Sequence, residues 1–213
     1  MEFLPEKISS YSLENTEKEP KLLSDLNRET WANVMIPRML SGHLQGRVLS
    51  MISKMIHPTN IIEVGTYTGY SALCMAEGLK ENGKIHTLDI NEEYTSVAKK
   101  YFDKSDYKEN IIQHIGNAVD VIPQLNDKFQ LAFLDADKEN YSNYFDLIIN
   151  KMDIGGYIIA DNVLWSGKVT EENKDEETMA LHNYNKKVLS DKRVETVLLP
   201  VRDGLNISRK LSN

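Results

Sequence analysis

The chain has 213 residues, of which 41% are hydrophobic and 27% charged, an ordinary composition for one globular domain with a sizeable core. Its formal net charge of −7 opposes a general nucleic-acid or anionic-membrane binder, because such partners attract a positive surface. Cys74 is the single cysteine, so an internal disulfide framework is excluded and a reducing, cytoplasmic location is expected. No stretch approaches the ~18 apolar residues of a membrane span, and the acidic N-terminus does not resemble a secretory signal.

Residues 1–57 are predicted to form a helical cap. Apolar side chains recur near helical spacing in its first part, and Pro20 is expected in the first turn of that helix, where a missing N–H costs nothing. Ser41–His43 breaks the pattern. Leu44–Ile56 follows as a second amphipathic helix, which Pro58 ends.

From Asn60 onwards, strand and helix patterns alternate. Repeated βα units predict an α/β fold with a doubly wound parallel sheet over residues 58–213. The short link Pro200–Gly204 predicts that the last two strands form an antiparallel hairpin at one edge, because parallel neighbours need a long crossover. We expect a single domain over residues 1–213. The predicted strands are Asn60–Val64, Lys84–Asp89, Asn110–Ile115, Gln130–Asp135, Gly156–Asp161, Val194–Leu199 and Leu205–Arg209.

Two neighbouring strands of this pattern end in polar side chains. One apolar run leads directly into Asp135, Asp137 and Lys138. The next strand leads into Asp161 and Asn162. Ligands of open α/β sheets lie just outside the carboxyl ends of the strands, so these side chains are expected at one edge. Two strand ends that carry carboxylates and an amide predict an oxygen-rich metal site.

The first βα junction carries a glycine turn, Gly65–Gly69, at the place where nucleotide-like ligands bind. Its glycines are four residues apart and form no G-x-G-x-x-G, which favours a cofactor without a pyrophosphate. Asp89 ends the next strand, where a carboxylate can accept hydrogen bonds from both ribose hydroxyls of an adenosine. The alternative for the two glycines is that they only form a tight turn. The alternative for Asp89 is that it only caps a helix or a turn.

Six motifs in a fixed order resemble one enzyme family. Together they resemble the cation-dependent, S-adenosylmethionine-dependent O-methyltransferases of the caffeoyl-CoA and catechol type, from about Leu22 to Lys210. The fourth motif is more similar to plant caffeoyl-CoA and bacterial members than to the animal catechol enzyme. The motifs are EVGTYTGYS (63–71), TLDI (87–90), GNAVDVIPQL (116–125), FLDADKENY (133–141), DNVLWSGKV (161–169) and LPVRDGL (199–205).

The resemblance implies a Rossmann-like methyltransferase sheet of seven strands with the last strand antiparallel, S-adenosylmethionine as cofactor and a divalent cation. The cation is expected on Asp135, Asp161 and Asn162, with Mg²⁺ first and Mn²⁺ or Ca²⁺ as alternatives. Lys138 and Asp135 are the implied catalytic residues. The residues implied at the acceptor are Lys138, Trp165 and Ser166. The residues implied at the cofactor are Ser41, Glu63, Gly65, Thr66, Tyr67, Ser71, Asp89, Ala118, Asp135 and Tyr144.

One departure from the family pattern concerns the acceptor. Plant members carry an asparagine that contacts the phenolic substrate after the tryptophan of the fifth motif, whereas this chain carries the shorter Ser166. Ser41 likewise stands where plant members carry a threonine near the methionine moiety.

The residues themselves fit methylation of one hydroxyl of a vicinal pair. A divalent cation bound to both oxygens would stabilise an oxyanion and fix its direction. Carboxylate and amide oxygens suit hard ions, and no Cys/His cluster favours zinc. Lys138 can accept the hydroxyl proton, since a nearby cation disfavours its ammonium form. We interpret Asp137 as the N-cap of the following helix rather than as a ligand.

The leading hypothesis is therefore metal-dependent methyl transfer to a hydroxyl of a catechol-like small molecule, free or linked to CoA. A tRNA hydroxyuridine O-methyltransferase is an alternative on the same fold, and a dinucleotide-dependent oxidoreductase is an alternative of another class. The missing G-x-G-x-x-G opposes the oxidoreductase. The resemblance also implies a homodimer. Four lysines form either a basic patch for tRNA or a solvated helix face: Lys99, Lys100, Lys104 and Lys108.

Overall fold

The computed structural model describes residues 5–213, so the first four residues of the predicted cap lie outside the described range. Short 3₁₀ turns occur at Pro37–Met39, Ile122–Gln124, Lys138–Asn140 and Trp165–Thr170. The α-helices in this range are α1 (Glu6–Glu14), α2 (Lys21–Asn33), α3 (Gly42–Ile56), α4 (Tyr70–Ala76), α5 (Glu92–Phe102), α6 (Ala118–Val121), α7 (Tyr141–Ile149) and α8 (Glu176–Ser190). None of these helices is long and apolar enough to cross a membrane.

The predicted α/β fold is confirmed. Seven strands form one sheet in the order β3-β2-β1-β4-β5-β7-β6. The first five are parallel, and β7 runs antiparallel to both of its neighbours. The strands are β1 (Asn60–Val64), β2 (Lys84–Asp89), β3 (Ile111–Ile115), β4 (Phe129–Leu134), β5 (Met152–Ala160), β6 (Val194–Leu199) and β7 (Leu205–Lys210).

The central strands are continuous apolar runs because helices cover the sheet on both faces. Successive side chains of a strand point to opposite faces. Leu131 and Phe133 of β4 are therefore buried in a core that includes residues of α2 to α5. Ala132 and Leu134 are buried in a second core, which includes residues of α6 to α8. This packing fixes the strand ends that carry the candidate site.

Several element boundaries differ from the predictions. Strand β3 begins one residue later, β4 begins and ends one residue earlier, and β7 ends one residue later. The sequence pattern predicts that α4 runs to about Leu79, but the helix ends at Ala76. The chain then passes so close to α3 that a Cβ added at Gly78 would lie 2.3 Å from the Ser53 carbonyl carbon. Strand β5 begins at Met152, since a register shift lets β4 and β5 pair on both sides of an irregularity. Pro20 lies one residue before α2 instead of in its first turn.

Candidate active site

The carboxyl ends of β1, β2, β4 and β5 line one cavity of about 1350 Å³. One small-molecule site typically occupies about 300–1,000 Å³, so this cavity has room for a cofactor and an acceptor together. Every residue predicted for the site lines it except Glu63. The residues brought together are Ser41, Gly65, Thr66, Tyr67, Ser71, Asp89, Ala118, Asp135, Lys138, Tyr144, Asp161, Asn162, Trp165 and Ser166.

Two carboxylates face the cavity from adjacent strands. Asp135 follows β4 and Asp161 follows β5, whose last residues are paired in the sheet. Asp161 is 2% exposed, and its Oδ1 accepts a hydrogen bond from the Asn162 N–H at 2.7 Å. Burial, followed by the nearby charge of Asp135, raises the pKa of Asp161 to about 6. The ionised form of Asp161 is therefore disfavoured in the protein alone, and a bound cation would stabilise it.

The Lys138 ammonium lies between these oxygen donors. Its Nζ donates to Asp135 Oδ1 and to Asn162 Oδ1, each at 3.1 Å. It also donates to the Tyr141 hydroxyl at 2.8 Å, and the side chain is almost fully buried. Burial raises the pKa of Tyr141 well above its ordinary value, so the phenol stays neutral. Lys138 is thus fixed by three oxygens beside the two carboxylates.

The donor set fits a divalent cation. The position between Asp135 and Asn162 already holds a positive charge, and the available oxygens are those that Mg²⁺, Mn²⁺ and Ca²⁺ prefer. Within residues 5–213, no group of three or more His, Cys, Asp or Glu side chains is placed to hold a metal. With two carboxylates and one amide, a cation here would need water or substrate oxygens to complete its shell.

The glycine turn after β1 forms the neighbouring part of the cavity wall. Gly65 has φ +106°, and a Cβ added there would lie 2.0 Å from the Asp135 carbonyl oxygen. Gly69 has φ +87°, and its Cβ would lie 2.6 Å from the Phe102 ring. Both glycines are thus required by contacts inside the protein, while Gly65 also lines the cavity. The turn therefore lies too close to the strand end that carries Asp135 to admit a side chain at position 65.

Asp89 is held in place by the backbone. Its Oδ2 accepts from the Tyr67 N–H at 2.7 Å, and its Oδ1 accepts from the Asn91 N–H at 2.9 Å. The capping residue of α5 is Asn91, whose Oδ1 accepts from the Glu93 N–H at 2.9 Å. Each carboxylate oxygen of Asp89 keeps a further lone pair, so the group can also accept hydrogen bonds from a ligand in the cavity.

Glu63 lies beneath the turn rather than in the cavity wall. It is fully buried, and its Oε2 accepts from the Thr87 hydroxyl at 2.5 Å. Burial raises its pKa to about 8, although hydrogen bonds from Ser71 and Thr87 act in the opposite direction. The predicted contact of Glu63 with the cofactor stays a prediction.

Asp137 occupies the predicted position before a helical turn, but the capping hydrogen bond expected of its side chain is wrong. Asp137 precedes the 3₁₀ turn, but its side chain makes no capping hydrogen bond. Its carboxylate instead accepts from the Tyr144 hydroxyl and the Asn140 amide, each at 2.5 Å. These side-chain donors, brought close by the short 3₁₀ turn, replace the backbone N–H groups that a regular helix start would offer. Asp137 and Tyr144 therefore line the cavity as a pair.

A strained turn forms another part of the cavity wall. Trp165, Ser166 and Gly167 all have positive φ, of 48°, 54° and 85°. For residues other than glycine this region is disfavoured and needs external support. Asp203 supplies it: its carboxylate accepts from the Ser166 N–H at 2.5 Å, and its carbonyl accepts from the Leu164 N–H at 2.9 Å.

Gln45, Arg202 and Asp203 line the cavity and are among the residues that the sequence did not predict for it. Arg202 and Asp203 belong to the LPVRDGL motif, which served to identify the family but was given no chemical role. Gln45 is buried and lies four residues before Leu49, on the apolar stripe of α3. A glutamine on an apolar helix face indicates that its side-chain amide is hydrogen-bonded to a buried polar group.

The sequence matches a known family over nearly its whole length. The family model described as O-methyltransferase matches residues 10–211. Among curated relatives, a caffeoyl-CoA O-methyltransferase from Mesembryanthemum crystallinum is 35% identical over 208 residues, covering 92% of this chain and 82% of the relative. A caffeoyl-CoA O-methyltransferase from Petroselinum crispum is 33% identical, covering 92% of this chain and 86% of that one.

Solved structures show the same architecture. The methyltransferase PaMTH1 from Podospora anserina, bound to S-adenosylhomocysteine, superposes with a TM-score of 0.89 at 26% identity, covering 98% of each chain.

Proposed function

This chain belongs to the O-methyltransferase family and is an S-adenosylmethionine-dependent enzyme, and from this premise we propose that it methylates a hydroxyl of a catechol-like small molecule with the help of a divalent cation. The main support for this proposal is that the Lys138 amine lies 3.1 Å from oxygens of both Asp135 and Asn162 in the wall of the cavity. A cation site and a candidate base are therefore adjacent, as ionisation of one of two neighbouring hydroxyls requires.

The residues divide the reaction between them. Asp135, Asp161 and Asn162 would hold the cation, which supplies charge stabilisation for an ionised hydroxyl. Lys138 would accept the proton of that hydroxyl at Nζ after its ammonium has released a proton to solvent beside the bound cation, and Tyr141 holds the amine in place through its own hydroxyl. Asp89 and the Gly65–Gly69 turn orient S-adenosylmethionine, which supplies the methyl group. Fixing donor and acceptor in one cavity contributes much of the rate.

The acceptor side fits a flat aromatic ring. Trp165 lies over Lys138, with its ring centre 5.7 Å from Nζ, and Asp203 holds the turn that carries it. The free phenol and its CoA thioester both remain within the proposal. We also propose that Mg²⁺ is the physiological cation, with Mn²⁺ and Ca²⁺ as alternatives, and that the enzyme is a cytoplasmic homodimer; light scattering would test the oligomeric state.

The deciding experiment is a methyl-transfer assay on catechol, caffeic acid and caffeoyl-CoA. We expect turnover that EDTA abolishes and that added Mg²⁺ restores. Guaiacol, which has a single free hydroxyl, is the matched control acceptor and should react poorly, because it offers no second hydroxyl. Full activity in EDTA would remove the cation from the mechanism, and inactivity toward every vicinal diol would remove the acceptor class.

The tRNA alternative gains no support from the surface. The lysines proposed for a basic patch are largely paired with acids: Lys99 with Asp103 at 2.8 Å, and Lys100 with Glu29 at 2.6 Å. Such exposed pairs leave little net positive charge on this helix face. Loss of a methoxyuridine from the tRNA of a deletion strain would nevertheless establish that function and displace the small-molecule proposal. Membership of the methyltransferase family removes the oxidoreductase alternative.

A further inference from the structure

Asp161 is held by a chain of side chains that begins outside the predicted site. Arg202 donates a hydrogen bond to Gln45 Oε1, and Gln45 Nε2 donates to Asp161 Oδ2 at 2.5 Å. The other carboxylate oxygen accepts from the Asn162 N–H. Both oxygens of Asp161 are therefore bonded and the plane of the carboxylate is fixed, while each oxygen keeps a lone pair for a metal.

The Gln45 amide can take only one orientation. Its NH₂ group must face the carboxylate and its oxygen must face the guanidinium, because the reverse would place oxygen against oxygen. Gln45 is 2% exposed, so its amide depends on these two partners for its hydrogen bonds. Helix α3 lies closely against α4, since a Cβ added at Gly46 would lie 2.5 Å from the Tyr70 ring.

Arg202 reaches this position through a strained backbone. Its φ is +51°, a region that residues other than glycine rarely adopt, and it also donates to the Ser41 carbonyl oxygen. The guanidinium is thus anchored at two acceptors while one side chain separates it from Asp161. A guanidinium bonded directly to Asp161 would compete with a metal for the charge of the carboxylate, whereas a neutral amide orients the carboxylate without neutralising it.

We propose that Gln45 and Arg202 are positioning residues of the cation site, which hold the Asp161 carboxylate in the orientation that binds a divalent ion. This inference rests on the proposed cation dependence. Groups that orient metal ligands typically change metal affinity by about 10–100-fold when they are removed. Because Arg202 acts on Asp161 through Gln45, losing both should weaken binding no more than losing the more important one.

The test is Mn²⁺ binding to the purified full chain, followed by electron paramagnetic resonance. Gln45→Met and Arg202→Met are each expected to weaken binding by about 10–100-fold, and the double variant no further. Calorimetry should show an unchanged affinity of Gln45→Met for S-adenosylmethionine, which a general loss of structure would not leave intact. Arg209→Met is the control, because Arg209 pairs with Glu195 at 3.1 Å on the exposed surface, outside the cavity lining.

Arg202→Lys keeps a positive charge and should lose less affinity than Arg202→Met, which keeps the test decisive if the methionine variant fails to fold. Single variants that bind Mn²⁺ like the wild type would overturn the inference, as would strictly additive losses in the double variant. A wild-type chain that binds no Mn²⁺ would overturn the cation dependence and this inference together. Wild-type binding with unaltered variants would overturn only the positioning role.

Discussion

The Lys138 amine lies 2.8 Å from the hydroxyl of Tyr141, which is fully buried and stays neutral. Tyr141 Oη lies 3.0 Å from the Asp161 carbonyl oxygen. One phenol therefore ties the candidate base to the backbone of the residue that would hold the cation. This contact aligns two groups that come from different strands.

Lys138→Met should lower kcat by about 10²–10⁴-fold, the range typical for loss of a positioned base. Affinity for S-adenosylmethionine should change little, because Lys138 contacts the acid side of the cavity. Steady-state kinetics and calorimetry give the two values. Lys138→Arg is the matched control: it keeps the charge but cannot release a proton at neutral pH, so its turnover should stay low. An active arginine variant would assign Lys138 to charge stabilisation instead.

Asp161→Ala should reduce turnover by at least about 100-fold, since a bound cation contributes several kcal/mol of charge stabilisation. S-adenosylmethionine binding should remain.

Asp161→Asn should show the same loss of turnover but a higher free energy of unfolding than the wild type in EDTA at neutral pH. The reason is that burial and the charge of Asp135 disfavour the ionised Asp161 carboxylate in the folded protein. Urea denaturation measures the difference. Unchanged turnover in both variants would contradict a role for Asp161 in cation binding.

Glu63 should make the protein less stable as the pH rises. Burial raises its pKa from 4.5 to about 8, so between these values the folded protein holds a proton that the unfolded chain has lost. This contribution to stability is complete below 4.5 and is lost as the pH rises through 8. The slope should be about 1.4 kcal/mol for each pH unit inside the window. Urea denaturation at two pH values should show this slope in the wild type and its reduction in Glu63→Gln; equal slopes would refute it.

Asp203→Ala should raise the KM for the acceptor about tenfold or more, because hydrogen bonds to charged groups contribute about 1.5–3 kcal/mol and this one supports the turn at Ser166. The affinity for S-adenosylmethionine should not change. Asp203→Asn keeps an oxygen acceptor and should restore most of the loss. If the alanine variant has a wild-type KM, the Trp165–Gly167 turn is held by other contacts.

Sequence reasoning located the sheet because its signals are local. A parallel strand is an apolar run with a polar end, so Lys84–Asp89 and Val194–Leu199 were predicted with the bounds that the structure has. The start of β5 was missed, because the pairing of Phe129 with Met152 crosses a register shift that no local pattern reveals. Residues that follow strands, such as Asp135 and Asp161, share an edge by topology alone.

The bonding inside the site was less predictable. Arg202 and Gln45 are 157 residues apart in the chain, and their contact depends on how α3 lies against the loop between β6 and β7. The hydrogen-bond partners of Asp137 were also not predictable from the sequence. Its position before a helix was predicted correctly, but Tyr144 and Asn140, rather than the backbone, take its hydrogen bonds. Which side chains form a hydrogen bond depends on differences in atomic position of a few tenths of an ångström, and the spacing of residues in the sequence does not predict these differences.

The close contact between Gly65 and the Asp135 carbonyl has a consequence for how the two substrates meet. No side chain fits between the Gly65–Gly69 turn and the strand end that carries Asp135, because even a single methyl group added at Gly65 would lie 2.0 Å from the Asp135 carbonyl oxygen. If the turn holds the methyl donor and Asp135 the cation, as proposed, the spacing of two neighbouring strands would set the distance between them. On the proposed function, folding would therefore position the two binding sites relative to each other before either reactant binds.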